Sequence, residues 1–351
     1  MQIPTVNLSP TNPHASHQLL SAATTYGFVF IENNELGIPT ADIDNLFSLS
    51  KEFFASPLEV KQDVAIGSNA AGANYGWLSR GVEKLDPGPG GQRRADVKEA
   101  LNIGAPISGQ LQQPLPTPLR AHLNSILSFQ SRCHELCLTL LHHLAHALEI
   151  PPSWFSEKHD PALGRSGTVL RLLYYPALPA EEVEQGVDVR AGAHSDFGSL
   201  TLLFQRPGQP GLEIWKPTPH GSGEGEGEWV SVPVDPKGSE RAAGEPLPIL
   251  VNIGDLLEDW TGGLLRSTRH RVVFPTTSSP RPGEEAEEEG EGSDRYSIAY
   301  FCHPLDDATL DPVPSEVVRE HAERTGRKGM REGMTARGHL MERLGATYSI
   351  K

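Results

Sequence analysis

The sequence predicts an α+β protein in which helices flank a strand-rich second half. Residues 118–150 hold the strongest helical pattern: Leu119, Leu123, Ile126, Leu127, Cys133, Leu136, Leu140, Leu144 and Leu148 recur at spacings of three and four. After residue 165 the texture changes to short apolar runs separated by Gly, Pro and Asp. Eight such runs, 169–174, 189–193, 199–204, 212–215, 229–232, 248–252, 269–273 and 296–302, predict an antiparallel sandwich or a small barrel.

The remaining elements follow in order. Residues 3–8 (IPTVNL) read as a short edge strand, with Pro4 tolerated at its start. A helix from His14 to Tyr26 is ended by Gly27, and Phe28–Ile31 reads as a strand. Asp42–Phe54 is amphipathic, with Leu46 and Phe53 on one face and Phe47 and Phe54 beside them. Residues 66–95, rich in Gly, Asn, Pro and Arg, read as an irregular loop. Pro151-Pro152 stops the long helix. Two segments interrupt the strands: residues 217–228 are rich in Gly, Glu, Ser and Pro, and residues 276–293 are acidic and low in complexity, reading as a mobile surface loop. From Pro314 to Tyr348 the pattern returns to helix.

Composition narrows the function classes. With 37% hydrophobic and 21% charged residues among 351, the chain reads as a globular protein with a sizeable core. Its net charge of −15 argues against nucleic acid and against an anionic membrane surface as partners. Part of that charge is local, in residues 284–291. Three cysteines, Cys133, Cys137 and Cys302, form no paired framework and suit a reducing compartment. No secretory signal and no membrane-spanning run is visible, so a cytoplasmic location is expected.

The chemistry begins at HSDFGSLTLLF, residues 194–204. His194 and Asp196 are two apart at the entrance of an apolar strand, and on an extended chain both side chains share a side. Imidazole with carboxylate suits a divalent first-row metal, and a third ligand is available in His270, at the start of another apolar run. Two His and one carboxylate leave adjacent coordination positions open, the pattern of non-haem Fe(II) oxygenases. H-x-D alone is a chance pattern in a chain of this length. A further element gives it weight: Arg295 and Ser297 share a side of the last strand and offer a planar fork and a hydroxyl to a carboxylate. The plainer reading of that pair is a surface arginine beside a strand serine.

Taken together, H-x-D, the distal His in S-T-x-H-R-V and R-Y-S on the last strand resemble the Fe(II)/2-oxoglutarate-dependent dioxygenase superfamily, in its isopenicillin-N-synthase-like branch. The resemblance covers nearly the whole chain, through YGFVFIEN, DVKEALNIG, RLLYYP, RAGAHSDFGSLTLLFQ, VNIGDLLEDWTGG and RYSIAYF, and is nearest to fungal thymine-hydroxylase-type members. It implies a double-stranded β-helix (jelly roll) core with flanking helices. The implied organisation is an N-terminal dioxygenase region (1–117), the long helix and linker (118–164), the jelly-roll core (165–305) and a C-terminal helical segment (306–351), packed as one unit. It implies Fe(II) bound by His194, Asp196 and His270, and 2-oxoglutarate held by Arg295, Ser297 and Tyr175. Many plant members carry Asn where this chain has Leu173, so one polar contact is absent.

The implied activity is oxidative decarboxylation of 2-oxoglutarate by O2 coupled to hydroxylation or a related oxidation of a small metabolite. Ascorbate is the supporting reductant, and no catalytic side chain is expected beyond the metal centre. The alternatives are an oxidase of the isopenicillin N synthase kind that uses no 2-oxoglutarate, and a non-catalytic metal-binding relative. Phe197, Phe301, Tyr75 and Trp77 are the candidate substrate contacts, with core packing as the competing reading for both phenylalanines. Asn252 to Asp255 reads as a strand end, a turn and a helix cap at Asp255, and Lys98-Glu99 as a packing motif. His142, His143 and His146 lie at helical spacing without nearby acids and read as ordinary helix residues.

Overall fold

The structure is a computed structural model that describes residues 2–33, 37–67, 74–86, 92, 94–184, 187–217, 227–274, 294–327 and 329–348. The acidic segment 276–293 and most of 217–228 lie outside the described residues.

The chain opens with β1 (Thr5–Val6), α1 (Ala15–Thr25), β2 (Phe28–Ile31), α2 (Thr40–Phe54) and α3 (Leu58–Gln62). β3 (Gly76–Leu78) and β4 (Glu99–Gly104) follow, then the long α4 (Leu123–Ala147) and the short α5 (Ser153–Ser156). The strand-rich half comprises β5 (Val169–Tyr175), β6 (Ala191–His194), β7 (Leu200–Phe204), β8 (Leu212–Pro217), β9 (Gly227–Ser231) and β10 (Ile249–Ile253). α6 (Asp255–Trp260), β11 (His270–Val272), β12 (Arg295–Cys302), α7 (Glu316–Thr325) and α8 (Ala336–Tyr348) complete it.

All eight strands expected after residue 165 are present, and they divide between two sheets. One has the order β1-β2-β10-β7-β12-β5-β4-β3, the other β6-β11-β8-β9. Apart from the β8–β9 pair, successive strands of the second half alternate between the sheets, which makes a double-stranded β-helix. β1 with β2 and β3 with β4 extend the large sheet at its two edges.

Period-2 alternation decides which face of the large sheet does what. On β12, Tyr296, Ile298, Tyr300 and Cys302 join the cluster packed on α1, α2 and α4, while Ala299 joins the cluster between the sheets with Leu212, Ile214 and Val272 of the small sheet. Arg295, Ser297 and Phe301 share the inward side with Ala299 and line the cavity between the sheets. The helices thus seal one face with apolar side chains and free the other for chemistry.

Several boundaries differ from expectation for local reasons. α4 starts at Leu123, after a 3-10 turn over residues 117–122, and Leu123 itself is 39% exposed. It ends before Pro151, because Glu149 takes a left-handed φ of 58° and Ile150 N–H closes onto Ala145 O. Cys133 and Cys137 are fully buried on its inner face, as their spacing implies. His143 bonds Ser16 Oγ at 2.9 Å. Among the described residues, no metal-binding group forms around His142, His143 and His146. The tail is two helices, not one, since Gly326 caps α7 at φ 67°. Residues 66–95 contain β3. No helix among the described residues is long and apolar enough to cross a membrane.

Gly27 joins α1 to β2 at φ +67°, and a Cβ there would meet the Arg266 carbonyl oxygen at 2.2 Å. Gly27→Ala is expected to destabilise the protein by about 2 kcal/mol or more, read as a lower urea midpoint at unchanged slope.

Candidate active site

β6 and β11 are neighbours in the small sheet, and their register sets His270 directly opposite His194. The two imidazole centroids lie 4.3 Å apart. His194 Nδ1–H donates to Gly192 O at 2.7 Å, and His270 Nδ1–H donates to Thr268 O at 3.1 Å. Both rings are thereby fixed in the tautomer that leaves Nε2 with a lone pair for a metal. Asp196 Oδ1 faces both Nε2 atoms, at 3.8 Å from His194 and 3.6 Å from His270. Ligand atoms of the three residues all lie within 4.8 Å of one another.

β6 ends at His194, so strand alternation does not aim Asp196. Its other oxygen does. Oδ2 accepts from Thr201 Oγ1 at 2.7 Å and from Asn252 Nδ2 at 2.8 Å, on β7 and β10 of the large sheet. Burial opposes ionisation of this carboxyl. It nonetheless titrates below its ordinary value, because His270 and His194 face it and Asn252 and Thr201 donate to it. Burial also lowers the His194 pKa to about 3, with His270 adding to the effect, so the imidazole is neutral and ready to ligate near neutral pH.

The loop behind the ligands is held from the opposite side. Asp255 is the first residue of α6, and its cap position is Gly254; the expected helix cap at Asp255 is therefore corrected by one residue. The Asp255 carboxylate accepts from Ser195 Oγ (3.0 Å) and Ser267 Oγ (2.7 Å), on the two metal-bearing segments, and pairs with Arg343 of α8 at 3.2 Å. Asn252, read as purely structural, instead holds the outer oxygen of the Asp196 carboxylate; "structural" understates its place beside the site.

Ligand side chains open into a cavity of about 130 Å³ between the sheets. At one end lies Arg295, 1% exposed. Its Nε donates to Gln209 O (3.2 Å), one terminal nitrogen donates to Ser297 Oγ (3.3 Å), and its guanidinium lies 5.0 Å from the Tyr175 ring centre. No carboxylate among the described residues forms an ion pair with it. Burial lowers its pKa against the opposing effect of Tyr175, but a guanidinium remains charged at neutral pH. A second buried arginine, Arg190, sits nearby; burial and then the charge of Arg295 lower its pKa to about 10. A buried cation of this kind needs an anion, and a dicarboxylate reaching from Arg295 toward the metal ligands satisfies it.

Phe197 and Phe301 line the cavity. Tyr75 and Trp77 are not among the lining residues. Trp77 is 7% exposed in the core beneath the helices, and its Nε1–H donates to Glu99 Oε2 at 2.8 Å. Tyr75 packs its ring over Gly104. Their segment reaches the cavity through Asn74 instead. Leu340 and Leu344 of α8 also line it, with no sequence signal that assigns them there. The Lys98-Glu99 motif divides its work: Glu99 pairs with Lys61 at 2.9 Å, whereas Lys98 is buried against Glu83 (2.9 Å) and Asp96 and lines the cavity.

A facial group of two imidazoles and one carboxylate, inside a double-stranded β-helix and beside a buried arginine, defines a mononuclear non-haem metal oxygenase. Comparison with known proteins agrees. Residues 3–122 match the family described as non-haem dioxygenase in morphine synthesis N-terminal, and residues 166–304 match the 2OG-Fe(II) oxygenase superfamily. A UPF0676 protein of Schizosaccharomyces pombe is 34% identical over 90% of this chain and 86% of its own length. Proline hydroxylase buaE of Petromyces alliaceus is 33% identical over 98% of this chain and 97% of its own. The structure of full-length Neurospora crassa thymine-7-hydroxylase with alpha-KG superposes with a TM-score of 0.72 at 27% identity, over 98% of this chain and 96% of that one. The chain belongs to the 2OG-Fe(II) oxygenase superfamily, and it is an oxidoreductase whose cofactors are Fe(II), 2-oxoglutarate and O2.

Removing either donor to Asp196 Oδ2 is expected to loosen the metal. Asn252→Ala and Thr201→Val should each lower Fe(II) affinity by about 10–100-fold, measured by anaerobic metal titration with circular dichroism confirming the fold.

Proposed function

We propose that His194, Asp196 and His270 hold Fe(II), and that Arg295, Ser297 and Tyr175 grip the distal carboxylate of 2-oxoglutarate. The observation that carries this is the pairing of three convergent, pre-oriented ligand atoms with a buried arginine whose charge no carboxylate of the described chain answers. Bound iron with 2-oxoglutarate and O2 supplies the oxidising power for C–H hydroxylation, with succinate and CO2 as by-products. The chain's own part is geometric. Thr201 and Asn252 keep Asp196 turned so that Oδ1 faces the metal, and the two backbone carbonyls hold the imidazole rings with Nε2 toward it. Leu203, Leu212, Val272 and Phe301 exclude water from the space around the reacting carbon.

What supports dependence on 2-oxoglutarate, over an oxidase of the isopenicillin N synthase kind, is the set of relatives named 2-oxoglutarate-dependent dioxygenases. The substrate is a small metabolite, a reading supported by the size of the cavity and by the Neurospora thymine-7-hydroxylase, which is seen with thymine and with 5-formyluracil.

Anaerobic titration of the Fe(II) enzyme with 2-oxoglutarate should produce the metal-to-ligand charge-transfer band, and aerobic incubation should release succinate. His270→Ala should bind no iron at micromolar metal; stoichiometric iron in that variant would overturn the ligand assignment. Arg295→Gln should keep iron and raise the KM for 2-oxoglutarate by about tenfold or more, the loss of a charge-assisted contact.

A further inference from the structure

The strand that carries His194 is irregular where the ligand sits. Val272 pairs with Ala191 and His270 with His194, so β6 carries one residue more than β11 over the same stretch. An extra residue in one strand bends it and re-aims the side chain beside it. Gly192 lies inside this stretch. Its carbonyl accepts from His194 Nδ1–H at 2.7 Å, so the direction of the imidazole depends on how Gly192 is turned.

Gly192 is held from its other end. Its N–H donates to Asp96 Oδ1 at 3.0 Å, a residue of the segment before β4. One glycine therefore has its donor on a carboxylate and its acceptor on a metal histidine, which leaves its backbone little freedom to rotate.

Asp96 is itself 1% exposed and is anchored through both oxygens and both backbone groups. Oδ1 also accepts from Gln92 Nε2, and Oδ2 pairs with the Lys98 ammonium. Its N–H donates to Glu83 O at 2.8 Å, and its carbonyl accepts from Gly81 N–H at 3.2 Å. Apolar residues often replace a buried ion pair without loss of stability, so packing alone does not account for a carboxylate here. A charged acceptor makes a hydrogen bond about twice as strong as a neutral one, which suits the task of pinning a backbone N–H.

We propose that Asp96 is a positioning residue for the metal site. Through Gly192 it fixes the direction of the His194 ring, and with it the affinity for Fe(II), without touching the metal. This role rests on the ligand assignment above. It gives the N-terminal region, which supplies no ligand, a share in the metal chemistry: Asp96 lies in the family match over residues 3–122, and Gly192 in the match over 166–304.

A neighbouring contact of the same segment supplies a control. Asp86 pairs with Arg269, the residue before His270, at 3.2 Å, but the Arg269 side chain is 54% exposed. Exposed pairs of this kind contribute little.

The test measures Fe(II) affinity by anaerobic titration of the full chain, with circular dichroism confirming the fold. Visible spectra of the Co(II)-saturated proteins then compare ligand geometry. Asp96→Leu removes the acceptor and should weaken Fe(II) binding by about 10–100-fold. It should also displace the Co(II) d–d bands, which lowered stability alone does not do in folded, metal-saturated protein. Asp96→Asn keeps a neutral acceptor and should fall between, at about three- to tenfold weaker. Asp86→Asn should stay within about twofold of wild type.

A folded Asp96→Leu with wild-type affinity and wild-type Co(II) bands overturns the role of Asp96. An equal loss in Asp86→Asn overturns it too, since the cause is then loosening of the whole segment. If Asp96→Leu does not fold, Asp96→Asn decides, and affinity within twofold of wild type with unmoved Co(II) bands overturns the role. Wild type that binds no Fe(II) in the same titration overturns the ligand assignment, and the role of Asp96 with it.

Discussion

The carboxylate of Asp196 is the point at which the two sheets meet chemically. One oxygen belongs to the large sheet, through Thr201 and Asn252, and the other faces the two imidazoles of the small sheet. A carboxylate buried to this degree is costly unless every lone pair has a use. Here hydrogen bonds occupy one side, and the other is turned toward the place where a cation would sit. The same contact fixes the spacing between the sheets, because β7 and β10 cannot drift from the β6 end without stretching it.

Two treatments of buried charge divide the cavity. At the β4–β5 side, Lys98 and Arg171 pair with Glu83 and Lys98 with Asp96, and burial alone would lower the Lys98 pKa. The two carboxylates more than offset that effect and hold the Lys98 pKa above its ordinary value. At the other end, Arg295 has hydroxyl, carbonyl and aromatic neighbours but no answering acid among the described residues.

Much of this was legible in the sequence, because the signals were local. Apolar runs punctuated by Gly, Pro and Asp marked all eight strands of the β-helix. H-x-D and R-x-S each occupy three residues, and it was their order along the chain, with the distal histidine between them and the other motifs around them, that the family resemblance rested on. The part that Thr201 and Asn252 play beside Asp196 was not legible because it comes from register across β7 and β10, which no short window contains. Tyr75 and Trp77 lie away from the lining of the cavity. The resemblance placed this segment near the substrate, but the strand Gly76–Leu78 turns Trp77 into the core. Leu340 and Leu344 belong to an ordinary amphipathic tail in sequence, and only the packing of α8 brings them to the cavity.

The cavity wall draws on residues from Phe28 to Leu344. Synthesis proceeds from the N-terminus, so a ribosome must extrude nearly all of this span before the enclosure closes. The metal-binding loop meets its own late partner when Arg343 reaches Asp255. A growing chain consequently has no finished chamber until α8 has been made.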